Sequence, residues 1–282
     1  MSLVYRIGDR AHDLTRRGLV LGIVNVTPDS FSDGGRFLDP DAACAHGLRL
    51  IEEGADALDV GGESTRPGSE AVSAEEEIAR VRPVLERLVP RAGVPVSIDT
   101  SKLEVARVAL GLGAMIVNDV TGLRLRDGTG RPALAVLAAE YHASLIVMHM
   151  RGEPRTMQTD PRYDDVVSEV SGHLARAARD AQAAGVSFDR IAVDPGIGFG
   201  KSLEHSLALL RRVDALSALG YPVMIGVSRK SLFEKLLGLA VTERLEAGLA
   251  ASILAFEKGA RLFRTHDVAA TVRALRMAEA LL

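Results

Sequence analysis

Eight apolar runs in this chain each give way to residues that a packed core would reject, and those residues are the ones able to do chemistry. The first run, Leu19–Val24, ends in Asn25 and the loop Val26-Thr-Pro-Asp-Ser-Phe-Ser-Asp-Gly-Gly35. The second ends in Gly61-Gly-Glu-Ser-Thr-Arg-Pro-Gly68, the third in Asp99-Thr-Ser101 and the fourth in Asn118-Asp119. His149 follows the fifth, and Asp194-Pro-Gly-Ile-Gly-Phe-Gly-Lys201 the sixth. Ser228-Arg-Lys-Ser231 and Arg264-Thr-His-Asp267 follow the last two. A buried polar group must be paired, so polar termini on every apolar run point to a shared site.

The set divides by chemistry. Asp99, Asn118 and Asp194 supply acceptors and an amide, which suit a planar heterocycle with a donor–donor edge such as a 2-amino-4-oxo pyrimidine. Asn25, Arg264 and His266, with Thr65 nearby, suit a polyphosphate and its magnesium ion. Plainer roles compete at several positions. Asp99 could cap the helix after it, as could Asp267. Asp119 and Glu63 read as loop supports, and His149 as a satisfied histidine at the rim. Gly-Ile-Gly-Phe-Gly is by itself a weak phosphate-loop signal, since it lacks the spacing of the known fingerprints.

These termini need a scaffold that brings strand ends together. The strand-like runs are Leu19–Val24, Ala57–Val60, Val94–Ile98, Ala114–Val117, Ser144–Met148, Arg190–Val193, Pro222–Val227 and Ala260–Phe263. Asp39-Pro40 reads as an N-cap and first helical residue of a helix to Glu53. Ser73-Ala-Glu-Glu76 reads as a capping box, although Pro83 should kink or split the helix it starts. Further helices are expected over Leu103–Leu112, Pro132–Tyr141, Asp164–Ala184, Leu203–Leu216, Ser231–Leu237, Glu243–Glu257 and Val268–Leu281. Gly54, Gly113, Gly185, Gly220 and Gly259 fall where helices should stop. Strands alternating with helices indicate a parallel sheet with right-handed crossovers. Eight units in 282 residues favour a single (β/α)8 TIM barrel domain with its site at the C-terminal ends of the strands.

Composition narrows the function. A formal net charge of -3 gives no broad basic footprint, so nucleic acid is not an expected partner. Cys44 is the one cysteine, which excludes an intramolecular disulfide and a multi-cysteine metal site. Its expected role is a small helix residue. No run approaches the ~18 apolar residues of a membrane span, and the N-terminus has no signal-peptide pattern. The expected location is the cytoplasm.

Together the motifs resemble those of the dihydropteroate synthase family, from about Leu19 to the C-terminus. Asn25–Gly35 and Asp59–Gly68 resemble its two signature loops. Ser97-Ile-Asp-Thr100, Asn118-Asp119, Met148-His-Met150, Asp194–Lys201, Ser228-Arg-Lys230 and Arg264–Asp267 follow in the family's order. The resemblance implies transfer of a dihydropterin-methyl group: 6-hydroxymethyl-7,8-dihydropterin diphosphate condenses with 4-aminobenzoate, giving 7,8-dihydropteroate and diphosphate in folate biosynthesis. By similarity, Asp99, Asn118, Asp194 and Lys230 hold the pterin, with Arg264 along its face. Asn25, Thr65, Arg264 and His266 hold the diphosphate, and Asn25 holds Mg2+. Phe31, Thr65, Arg66, Pro67, Phe199 and Ser231 shape the 4-aminobenzoate side. Phe31 and Pro67 fall at the family's sulfonamide contacts, which implies sulfonamide sensitivity. Asp33, Lys230, Arg264 and His266 form the implied catalytic set, with Asp33 steadying a cation left by departing diphosphate.

The resemblance also implies a homodimer, and Thr242–Gly259, rich in Ala, Leu and Gly, is a segment able to pack closely against another helix. Asp29–Gly35 is expected to be a cover that closes over both substrates. Thr121–Arg131, with three arginines, is expected to be a solvated loop or a lid contact. Two alternatives stay open: a pterin-dependent methyltransferase, and a catalytically silent pterin-binding paralogue.

Overall fold

The computed structural model describes residues 2–27, 39–64 and 68–281. Two short strands, β1 (Val4–Ile7) and β2 (Arg10–Asp13), form an antiparallel hairpin. Eight parallel strands then close into a barrel: β3 (Leu19–Asn25), β4 (Ala57–Gly61), β5 (Val96–Asp99), β6 (Ile116–Asp119), β7 (Ser144–Met148), β8 (Ile191–Asp194), β9 (Val223–Ile225) and β10 (Ala260–Thr265). The ring runs β10-β3-β4-β5-β6-β7-β8-β9, with β9 paired to β10. This is the expected (β/α)8 architecture. Its strands are buried on both faces, one by barrel packing and one by the helical shell, so they read as continuous apolar runs.

The helices are α1 (Pro40–Glu52), α2 (Ala74–Ala92), α3 (Leu103–Gly111), α4 (Ala133–Glu140), α5 (Val166–Ala183), α6 (Leu203–Arg211), α7 (Val213–Ser217), α8 (Leu232–Leu237), α9 (Leu245–Glu257) and α10 (Val268–Leu281). Asp39 caps α1 as its sequence predicts, accepting from the Asp41 amide at 3.0 Å. Ser73 caps α2 through the Glu76 amide at 3.2 Å. All five stop glycines take positive φ, from 86° to 107°, a backbone region that side chains disfavour.

Three expectations fail. Pro83 does not split α2, which runs unbroken through both Pro83 and Pro90. Ala79 and Glu86, whose carbonyls lose a partner to those prolines, are exposed and can turn to water. The single helix expected over Leu203–Leu216 breaks at Arg212, where φ is -122° and ψ 37°. Leu209, Val213 and Leu216 keep helical spacing and burial across the break, so periodicity does not reveal it. The residues before Leu19, where no element was expected, form the β1–β2 hairpin. Its Tyr5 and Ile7 pack with Leu19, Leu21, Ile146 and Leu262, closing the barrel at the end opposite the polar termini. Four-residue strands offer too little alternation to stand out in sequence.

Candidate functional site

The register of the ladder sets the geometry of the open end. Asn25 pairs with Gly61, Gly61 with Asp99, and Asp99 with Asn118, one row across four adjacent strands. On the other side, Arg264 and Thr265 of β10 pair with Leu21 and Gly22 of β3. The first and eighth barrel strands are therefore neighbours, which brings Asn25, Arg264 and His266 to one opening.

That opening is a cavity of about 550 Å³. Asn25, Asp99, Asn118, Asp194, Phe199, Lys230, Ser231, Arg264 and His266 all line it. Phe31, Asp33, Thr65, Arg66 and Pro67 lie outside the described residues, as does the whole of the expected cover at Asp29–Gly35.

Arg264 is the electrostatic centre. Its Nε donates to Asp59 Oδ2 at 2.6 Å and its terminal nitrogen to Asp99 Oδ2 at 2.8 Å. Burial opposes the guanidinium charge, but the two carboxylates more than offset it and raise its pKa. Burial pushes Asp99 up to about 7, with Asp59 adding to the rise and Arg264 pulling against it. Asp99 is thus a site acceptor bound to Arg264. The helix-capping role falls away, since the N-cap of α3 is Lys102 and no side chain caps the helix.

Asp194 accepts from the Gly196 amide at 2.6 Å, and burial raises its pKa while Lys230 opposes. Burial brings Lys230 down to about 8, against the pull of Asp194. The Lys230 ammonium donates to the Ile197 carbonyl and sits 4.4 Å from the Phe199 ring centroid, a cation–π arrangement. Arg229, before it, has φ of 58°, strain of the kind that collects at functional turns.

His266 is held by Ser228: the ring Nδ1 lies 3.1 Å from Ser228 Oγ, and the backbone N–H donates to the same oxygen at 3.2 Å. The same hydroxyl also reaches Asp267 Oδ2 at 3.4 Å, so Ser228 ties the ring, the backbone and the neighbouring carboxylate together. Asp267 does not cap α10 with its side chain, because Arg229 takes that carboxylate at 2.7 Å.

The supporting roles are clear. Asp119 is wholly buried and clasps its loop, accepting from the amides of Thr121 and Leu123, each at 2.7 Å. Glu63 accepts from the Val72 amide and from Lys102, which also pairs with buried Glu77 at 2.6 Å. Arg124 of the Thr121–Arg131 segment donates to the carbonyls of Met150 and Gly152. It braces the loop after β7, while Arg131 pairs locally with Asp127.

Two residues escaped the sequence reading of the site. Asp59, the lone carboxylate within Ala57-Leu-Asp-Val60, is wholly buried and joins Arg264 to Asn118. Its signal was an acid inside an apolar run. Lys201 is 2% exposed, and its Nζ donates to His149 Nδ1, to the His149 carbonyl and to the Phe199 carbonyl, at 3.0, 3.2 and 2.9 Å. Burial lowers Lys201 to about 7 and, together with the Lys201 charge, His149 to about 2, so the imidazole is the neutral acceptor. The motif contained Lys201, but nothing local says that a lysine will point inward.

Comparison with known proteins agrees with this geometry. A family described as "Pterin binding enzyme" matches residues 21–266. The chain is 44% identical to the dihydropteroate synthase of Escherichia coli K12 over 263 residues, 93% of this chain and 91% of that one. The dihydropteroate synthase of Xanthomonas albilineans, solved with 4-aminobenzoic acid, superposes with a TM-score of 0.89 at 46% identity. The match covers 100% of this chain and 98% of the other. That of Yersinia pestis, solved with a sulfonamide drug, gives 0.91 at 38% identity, covering 99% and 98%. Both the identity and the coverage exceed what a shared barrel alone would give, and the chain belongs to the dihydropteroate synthase family of pterin-binding enzymes.

Proposed function

We propose that this protein condenses 6-hydroxymethyl-7,8-dihydropterin diphosphate with 4-aminobenzoate, releasing 7,8-dihydropteroate and diphosphate. The observation that carries the reading is one cavity holding both an acceptor set and a cationic set. Asp99, Asn118 and Asp194 accept from the N–H edge of the pterin, with Lys230 and Arg264 beside the ring. Asn25, Thr65, Arg264 and His266 take the diphosphate. Phe31, Thr65, Arg66, Pro67, Phe199 and Ser231 enclose the aminobenzoate.

The donor set also fits magnesium in one particular way. Among the described residues no cluster of three His, Cys, Asp or Glu side chains exists to cage a metal. Asn25 offers a neutral amide oxygen at the cavity wall, which suits a magnesium ion that keeps waters and arrives on substrate phosphates. Bound there, the ion would supply charge neutralisation to the leaving diphosphate.

The chain's own residues do the rest. Arg264 and His266 meet the charge that develops on the leaving oxygen. The C–O bond of the pterin methylene breaks, the electron pair leaves with diphosphate, and the resulting cation delocalises into the ring. Asp33 stabilises that cation, and the two loops exclude water. The arylamine is a nucleophile at neutral pH without a strong base: its nitrogen forms the new C–N bond and then sheds a proton. The sequence calls for no covalent nucleophile.

Three observations support wider readings. Leu245 and Leu254 of α9 are 37% and 57% exposed, which favours a homodimer packed on that helix. Among the described residues no helix is long and apolar enough to cross a membrane, consistent with a cytoplasmic enzyme. The sulfonamide complex of the Yersinia pestis relative supports sulfonamide inhibition here.

Purified protein incubated with the pterin diphosphate, magnesium and 4-aminobenzoate should form dihydropteroate. Pterin binding without product would favour a silent paralogue. Methyl transfer from a methylated folate to a corrinoid would favour the methyltransferase.

A further inference from the structure

Asp59 does not line the cavity, yet it touches two residues that do. In the β ladder it is level with Ile23 and Ser97, two residues before Gly61. It therefore shares the inward face of the Asn25–Gly61–Asp99–Asn118 row, about 7 Å deeper along the strand. Its Oδ2 accepts from Asn118 Nδ2 at 3.0 Å and from Arg264 Nε at 2.6 Å.

A carboxylate oxygen accepts and an amide nitrogen donates, so this contact fixes which way the Asn118 amide faces. The NH2 group goes to Asp59. Asn118 Oδ1 is left buried, on a residue that lines the cavity, with no hydrogen-bond partner. An unpartnered buried acceptor is costly, and a donor on a bound ligand removes the cost. The same Asp59 oxygen holds one edge of the Arg264 guanidinium while Asp99 holds the other, so the cation cannot swing about its Asp99 contact.

We infer that Asp59 is a positioning residue that sets the hydrogen-bond polarity of the heterocycle pocket. Through one oxygen it presents Asn118 as an acceptor and holds Arg264 in plane, so the pocket takes ring edges that donate and rejects edges that accept. The inference rests on the pterin reading of the cavity given above. It adds a specificity role for a residue outside the substrate's reach.

The test compares 6-hydroxymethyl-7,8-dihydropterin diphosphate with its counterpart carrying a 2-oxo group in place of the 2-amino group, binding being measured by calorimetry. The wild-type protein should prefer the amino compound by roughly a hundredfold or more, because a mismatched edge leaves buried groups unpaired. In Asp59→Val, Asn118 is released to present either end, and the preference should fall about tenfold or more. Asp59→Thr should behave alike, since a hydroxyl accommodates both amide orientations. Its volume is close to that of aspartate, so it carries the test if the valine variant does not fold. Asp59→Asn keeps an accepting oxygen and should retain the preference within about threefold. A folded Val or Thr variant with unchanged preference would overturn the inference while leaving the pterin site standing. Failure of the wild-type protein to bind or to discriminate would instead bring down the pterin reading, and this inference with it.

Discussion

Lys201→Met separates what the cavity floor does for stability from what it does for function. In the native protein the Lys201 ammonium is 2% exposed and spends its three protons on His149 Nδ1, the His149 carbonyl and the Phe199 carbonyl. A fall in its pKa from 10.5 to about 7 corresponds to ~5 kcal/mol of differential interaction. Against this, three hydrogen bonds at ~1–1.5 kcal/mol each contribute ~3–4.5 kcal/mol. The two magnitudes nearly cancel at pH 7, so Lys201→Met should change unfolding free energy there by no more than ~2 kcal/mol.

The pH dependence is the sharper readout. A lysine whose folded pKa is depressed leaves the unfolded state holding more protons between about 7 and 10.5. Wild-type stability should therefore rise with pH across that window, by up to ~1.4 kcal/mol per pH unit from this residue. The variant should lack that contribution. Urea unfolding of both proteins at pH 6.5, 8 and 9.5 gives the difference directly. A wild-type-minus-variant difference that stays flat with pH would refute the buried, strained lysine. Function should respond separately: the Phe199 carbonyl loses its anchor, so KM for 4-aminobenzoate should rise, with kcat less affected.

Two further outcomes follow from the same geometry. A Cβ at Gly196, where φ is 65°, would lie 2.1 Å from the His149 carbonyl oxygen. Gly196→Ala should therefore lower stability by ~3 kcal/mol or more and displace the amide that Asp194 accepts; a thermal midpoint within a degree or two of wild type would contradict the contact. Lys102→Met leaves Glu77, with no side-chain exposure, without its partner. The cost should be ~3–5 kcal/mol at neutral pH. Burial already raises the Glu77 pKa, and without Lys102 it should rise further. Protonation then relieves the buried charge, so the deficit should shrink as pH falls towards 5. Unfolding at pH 5 and pH 8 checks the sign, and an equal deficit at both would argue against an uncompensated carboxylate.

Much of the barrel was legible because its signals are local. An apolar run of four to six residues, an Asp-Pro or Ser-x-x-Glu start and a glycine stop are each decided by neighbours in sequence. Asp39 and the five stop glycines do in space what their spacing implies, and Ser73 caps α2, although Glu76 turns to Arg80 and leaves the box half made. The misses share a different cause. Pro83 sits inside α2 because its orphaned carbonyl is on the wet side, and wetness is a tertiary property. Asp267 and Asp99 each precede a helix and so resemble caps, but distant arginines claim both carboxylates. Tyr5 has a role only because a barrel end exists to be closed.

The sequence by itself determined which groups stand at the strand ends, and so the family and the chemistry open to the site. It set Asn25, Asp99, Asn118, Asp194, Lys230, Arg264 and His266 after apolar runs, and closure of the sheet carries strand ends to one opening whatever their order in the chain. Only the tertiary structure decided how those groups are aimed and charged. Asp59 and Asn118 are 59 residues apart, and Asp59 and Arg264 are 205 apart. The orientation of an amide, the plane of a guanidinium and the protonation of Lys201 depend on what lies across the barrel mouth. There a single partner outweighs any local preference, because the low dielectric strengthens each polar contact.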